Sequence, residues 1–263
     1  MLGTIIGDIA GSRFEWHNHK SKDFELFTYK CHPTDDSIMS LAVANAILAS
    51  KNDYSDLAVN VVEQMQAIGR QYPHCGFGGY FARWVQSDHP APYNSFGNGS
   101  AMRISPAGFA ADSLEEAIRL VHAITAVTHN HPEGIKGAEA AAVAIYMAKR
   151  GTSLPEIKEY IDKNYYPMNF TLEEIRPGYS FDVSCQGSVP QAFMAFFEST
   201  GFEDAIRNAI SIGGDSDTIA AICGGMAEAY YGIPANIRKQ ALTFLDEKLL
   251  QILTAFEDKY QSV

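Results

Sequence analysis

Apolar residues recur at intervals of three and four along almost the whole chain, and clean alternation over strand lengths is scarce. Leu114, Ala117, Ile118, Val121 and Ile124 follow this pattern, as do Val189, Ala192, Phe193, Phe196 and Phe197. Near the C-terminus Ile237, Ala241, Leu245, Leu249, Ile252 and Phe256 repeat it. Each set places its apolar groups on one helical face. The Ala-, Ile- and Leu-rich stretch 38–48 reads as a buried helix, and Val61, Val62, Met65 and Ile68 mark the next. The pattern predicts an all-α fold, a compact orthogonal bundle of helices. Segments 72–79, 88–99 and 176–187 break the periodicity with Gly, Pro and Asn. Long loops of this kind are where binding groups tend to sit. No repeat, low-complexity tract or linker interrupts the chain, so residues 1–263 are expected to form one domain.

Composition narrows the function. The chain has 263 residues, 46% hydrophobic and 19% charged, ordinary for a globular protein with a real core. A net charge of -11 argues against general nucleic-acid binding. A phosphate-bearing small ligand would then need local help from backbone amides or metal ions. Cys31, Cys75, Cys185 and Cys223 form no CxxC pair, which points to reduced thiols rather than a zinc cluster or a disulfide framework. The first residues lack a basic, then apolar, leader pattern, and no stretch is apolar enough to span a membrane. A cytoplasmic protein is expected, as a monomer, although the sequence does not fix the oligomeric state.

Five motifs bear chemistry. Thr34-Asp35-Asp36-Ser37 directly precedes a helix, where capping alone explains Thr, Asp and Ser. Gly213-Gly214-Asp215-Ser216-Asp217-Thr218 also precedes an apolar helix, 219–231. Capping does not explain its two glycines, and Asp-x-Asp is a common spacing of oxygen ligands for hard cations. The turn Gly97-Asn98-Gly99-Ser100 is either an ordinary turn or a cradle that offers backbone N–H groups to a phosphate, with Arg103 nearby. Gly7-Asp8-Ile9-Ala10-Gly11, followed by Glu15, spaces two glycines four apart, as close helix packing would need. His129-Asn130-His131-Pro132 reads first as a loop and cap before a helix over 137–149, with metal ligation the second choice.

Taken together and in this order, these motifs resemble the ADP-ribosylglycohydrolase family. GDIAGSRFE, TDDS, GNGSAMR, THNHPEGIKGA and GGDSDT span positions 7 to 218. The resemblance implies that the two acidic motifs meet in space. Thr34, Asp35, Asp36, Asp215, Asp217 and Thr218 would then ligate two divalent cations, Mg²⁺ or Mn²⁺. Hard oxygen donors suit those ions and offer nothing selective for copper or zinc. It also implies that Gly97, Asn98, Gly99 and Ser100 lie near the phosphates of ADP-ribose, with His129 close by. Glu15 matches a glutamate on a loop covering the metals, and Asp8 would support a ligand from behind. Glu15, Asp36 and Asp215 are the implied catalytic carboxylates. The expected substrate is an ADP-ribosylated protein or small molecule. Arginine is the first choice of acceptor; serine, a nucleobase or a metabolite conjugate stays open. Segment 177–187 departs from the arginine-specific pattern; there Tyr179 and Asp182 are candidates to face the substrate. A non-catalytic nucleotide-binding relative and a two-metal phosphohydrolase are the competing readings.

Overall fold

The computed structural model describes residues 1–261. Its helices are α1 (Leu2–Gly11), α2 (Asp35–Ala49), α3 (Leu57–Gly69), α4 (Gly79–Gln86), α5 (Gly99–Met102), α6 (Ser105–Ala110), α7 (Leu114–Thr125) and α8 (Pro132–Lys149). They continue with α9 (Leu154–Asn164), α10 (Leu172–Ile175), α11 (Cys185–Phe197), α12 (Phe202–Ser211), α13 (Ser216–Tyr231), α14 (Ala235–Ala241) and α15 (Glu247–Tyr260). Among the described residues the extended pairing is a single bridge, Gly97 with Ser184. The fold is all-α, as the periodicity predicts. No described helix is long and apolar enough to cross a membrane.

The helices differ by how much of their surface is apolar. Amphipathic α7 and α12 lie outside, each with a polar face. Ser113 caps α7, its side chain accepting from the Glu116 N–H. By contrast, every residue of α1 is buried, as is α13 from Ser216 to Ala227. A helix that is buried all round must sit in the core. α1 and α13 make the most extensive helix pair in the molecule, with α2, α8 and α11 packed around them. Small residues permit this closeness. A Cβ on Gly7 would overlap the Ala220 carbonyl, and one on Gly11 would stand 2.5 Å from the Asp217 Cα.

The C-terminal apolar face belongs to two helices. Leu245 is extended, and the Asp246 side chain accepts from the Leu249 N–H to start α15 afresh. Ile237, Ala241, Leu245, Leu249, Ile252 and Phe256 are all buried nonetheless, so capping chemistry breaks the helix without breaking the face. The four cysteines are free thiols.

Candidate active site

The N-termini of α2 and α13 converge beside the C-terminal half of α1. Thr34 is the N-cap of α2 and accepts from the Asp36 N–H at 3.3 Å, so the capping reading of this motif is sound. Asp8 of α1 caps α2 as well, from outside. It accepts from the Thr34 N–H (2.9 Å), the Thr34 hydroxyl (2.6 Å), the Ser37 N–H (3.1 Å) and the Ser37 hydroxyl. The orphan amides of the first turn are thereby served by another helix. Asp35 and Asp36 are spared from capping and line the cavity of the site.

α13 begins in the same way. Gly213 and Gly214 have φ of +70° and +77°, conformations that side chains rarely tolerate. This turn delivers Asp215 at the N-cap, where the Asn98 amide donates to Asp215 Oδ2 at 2.7 Å. The Thr218 hydroxyl donates to Asp36 Oδ2 at 3.2 Å and ties the two motifs together.

Carboxylate oxygens of Asp8, Asp36 and Asp217 lie within 4.8 Å of one another, as do those of Glu15, Asp215 and Asp217. Asp217 belongs to both sets. Asp36 Oδ1 is buried without a hydrogen-bond partner. A buried, unpartnered carboxylate oxygen among like charges is a poor arrangement unless a cation completes it. The donor set, all hard oxygen, fits a divalent metal. Burial, and after it mutual repulsion, raises the Asp36 and Asp217 carboxyls well above their ordinary range. Asp35 is pushed up to about 7 by burial and then by the charge of Asp8. Glu15, half-buried on the segment between α1 and α2, is also pushed up to about 7, by burial and then by Asp215.

These groups form one wall of a cavity of about 610 Å³. Glu15, Asp35, Asp36, Asp215, Asp217 and Thr218 line the acidic side. Gly97, Asn98, Gly99, Arg103 and His129 continue the lining from the Asn98–Asp215 contact, and the exposed side chains of Tyr80, Phe96, Phe181 and Val183, with Tyr93, complete it toward solvent. Trp16 stacks on Phe181 at 5.1 Å and links the segment carrying Glu15 to the loop before α11.

Comparison with known proteins gives the family. Residues 1–261 match the sequence profile of the ADP-ribosylglycohydrolases. The chain belongs to the ADP-ribosylglycohydrolase family. It is 24% identical to the ADP-ribosylhydrolase ARH3 of Xenopus tropicalis, over 96% of this chain and 94% of that protein. The Homo sapiens ARH3 is 23% identical over 89% of this chain and 84% of its own length. The ADP-ribosylarginine hydrolase Tri1 of Pseudomonas putida is 25% identical over 96% and 76%. A solved structure, an ADP-ribosylglycohydrolase-related protein complex, shares the fold with a TM-score of 0.67 at 22% identity, covering 98% of this chain and 95% of that one. As an ADP-ribosylglycohydrolase, the protein is a glycosyl hydrolase with acidic groups able to hold a metal.

Within this ADP-ribosylglycohydrolase fold, some sequence-derived site residues stand apart from the cavity surface. The Tyr179 hydroxyl donates to the Gly187 carbonyl at 2.7 Å, and the Tyr179 ring packs against Gly214. Asp182 accepts from the Ser184 N–H and hydroxyl at the start of α11. Both side chains are spent on holding their loop, and Phe181 and Val183 line the cavity in their place. The Ser100 hydroxyl donates inward, to the Gly134 carbonyl at 2.7 Å. Thr34 serves Asp8 rather than the cavity surface, and Asp35 lies outside both close carboxylate sets. His131 is the N-cap of α8 with Pro132 in its first turn, whereas His129 lines the cavity. The aromatic mouth is what sequence reading misses. Isolated Trp, Tyr and Phe residues in loops carry no period, and only their position around a cavity gives them meaning.

Proposed function

We propose that this enzyme removes ADP-ribose from arginine side chains with two Mg²⁺ or Mn²⁺ ions at the acidic wall. The observation that carries this reading is the pair of oxygen clusters sharing Asp217, with the unpartnered Asp36 Oδ1 between two helix N-termini. Thr34, Asp35, Asp36, Asp215, Asp217 and Thr218 would hold the ions. Bound there, such ions supply Lewis-acid polarisation and offset the stacked negative charge.

The chain's own groups divide the remaining work. Asp36 and Asp215 are fixed by Thr218 and Asn98, so they orient whatever binds between them. Glu15 lines the cavity beside Asp215 and Asp217, a place from which a carboxyl gives a proton to the departing acceptor or takes one from water as the glycosidic bond breaks. The turn 97–100 and His129 face the diphosphate. The likeness to an ADP-ribosylarginine hydrolase over 96% of the chain supports arginine as the acceptor.

The test is release of ADP-ribose from an arginine-ADP-ribosylated protein, with Mg²⁺ and with EDTA. Metal-dependent release is expected. Release only from serine-linked, nucleobase-linked or small-molecule conjugates would keep the hydrolase and replace the acceptor. Phosphate or AMP as the product would overturn the glycosidase reading.

A further inference from the structure

Beside the glycine turn of the cavity runs a buried chain of three side chains, Arg103, Thr128 and His129, the first and last of which reach the cavity surface. Arg103 is 1% exposed, yet among the described residues no carboxylate pairs with it. Its Nη1 donates to the Gly99 carbonyl at 2.8 Å, and its Nη2 donates to the Thr128 hydroxyl at 2.6 Å. The same Nη2 stands 3.5 Å from His129 Nδ1. Thr128 is fully buried, and its hydroxyl oxygen lies 2.8 Å from His129 Nδ1. Burying a guanidinium without a counter-charge is costly, so the arrangement needs a reason.

We propose that Arg103 and Thr128 are positioning residues that hold His129 as the neutral tautomer with its proton on Nε2, a fixed donor to a diphosphate oxygen of the substrate. The ligand half of this statement rests on the ADP-ribosyl reading above; the tautomer half rests on geometry alone. A guanidinium can only donate, so the Thr128 oxygen accepts from Arg103. The hydroxyl could give a hydrogen to His129 Nδ1 or take one from it, so the deciding neighbour is Arg103 Nη2, which stands 3.5 Å from Nδ1 and can only donate. Nδ1 is therefore the acceptor, and the hydroxyl hydrogen at 2.8 Å is its nearest donor. A proton on Nδ1 would face the guanidinium Nη2, which has no lone pair to receive it. The ring's proton therefore sits on Nε2. Burial, reinforced by the Arg103 charge, holds the imidazole well below its ordinary value, so the ring stays neutral. Tyr93, 5.8 Å away between ring centres, adds no charge.

Nε2 faces the glycine turn. A Cβ on Gly99 would come within 3.4 Å of it, and one on Gly97 within 3.6 Å. Arg103 thus pins both the turn, through the Gly99 carbonyl, and the imidazole, through Thr128. The resulting donor is neutral and has no accepting nitrogen on its cavity side. It favours an oxygen acceptor and refuses a group that needs to donate.

Nitrogen-15 NMR of histidine-labelled full-length protein tests this, with the His129 resonance assigned from His129→Gln. The free wild type should show His129 protonated on Nε2 alone. Thr128→Val keeps the shape and removes the hydroxyl; it should shift the tautomer and weaken ADP-ribose binding about tenfold, the loss of one charge-assisted hydrogen bond. KM should rise and kcat should hold, because the lost contact is made equally in the ground and transition states. Thr128→Ser should restore both. A wild-type ring protonated on Nδ1, or a Thr128→Val protein with unchanged tautomer and affinity, would overturn the inference. If wild type bound no ADP-ribose at all, the function proposed above would fail, while the NMR result would still decide the tautomer.

Discussion

The two walls of the cavity use buried charge in opposite ways. On one, Asp8, Asp36, Asp215 and Asp217 crowd together, and their oxygens find hydroxyls and amides but no cation from the chain. On the other, Arg103 is equally buried, and it finds carbonyl and hydroxyl oxygens but no anion. The acidic wall is built to be completed by positive charge, whereas Arg103 is satisfied by the chain at both terminal nitrogens, though not at its buried Nε, and passes its polarity on through His129. Preorganisation therefore differs: the donor wall is set before any ligand arrives, whereas the acidic wall is held in place against its own repulsion.

The sharpest way to break this contrast is at the acidic wall. Asp36→Ala or Asp217→Ala should lower ADP-ribose release about a hundred- to a thousandfold, the scale set by losing a charge-stabilising group. Circular dichroism should show a folded protein, because removing one of several repelling carboxylates relieves strain in the cation-free state. A variant with full activity would show that these oxygens hold no essential ion.

Glu15→Gln comes next. Loss of a general acid or base costs about a hundredfold or more in kcat. Calorimetric titration should find only a modest loss of metal affinity, because the Glu15 oxygen belongs to the second close set and the Gln amide oxygen keeps a neutral donor there. A variant that lost its metals would make Glu15 a ligand rather than a proton carrier.

A smaller effect appears in stability. In the cation-free protein Asp35 and Glu15 stay protonated up to about 7, against ordinary values of 3.8 and 4.5. The folded state thus binds extra protons between those limits, so stability falls as pH rises through that window. With EDTA, Tm measured by differential scanning should be lower at about pH 7.5 than at about pH 5, by roughly 2–4 °C per kcal/mol of lost stability. Added Mg²⁺ or Mn²⁺ should raise Tm more at the higher pH, where it no longer competes with protons. A Tm that rose with pH in EDTA would contradict the crowding on the acidic wall.

Trp16→Ala should do least. It removes the stack on Phe181 at the cavity mouth. The pair is worth about 0.5–1.5 kcal/mol, so Tm should fall by a few degrees at most, and KM should rise only modestly as the two segments at the mouth loosen. A large loss of kcat would mean that the stack positions Glu15.

How much of this was legible in the sequence depends on range. α7 announces itself through Leu114 to Ile124 and the Ser113 cap, because its signals are local. The acidic motifs are equally visible, but capping explains Thr34 and Asp36 well enough that their partner 182 residues away stays hidden. Only the family resemblance brought them together. Asp8 could not be read as the external cap of α2, since its four donors come from residues 34 and 37. Tyr179 and Asp182 misled because loop polarity says nothing about which side of the loop a group takes. Their neighbours Phe181 and Val183, which look like stray apolar residues, form the cavity wall.

The tight approach of α1 to α13 has a consequence for how this chemistry can vary. Gly11 touches the backbone of Asp217, and Asp8 lies one turn earlier on the same helix. The separation of two carboxylates is therefore gauged by the absence of a side chain that touches neither substrate nor cation. A single methyl group at position 11 would act as a shim: it would reset the bite of the metal site from behind while every residue facing the substrate kept its identity.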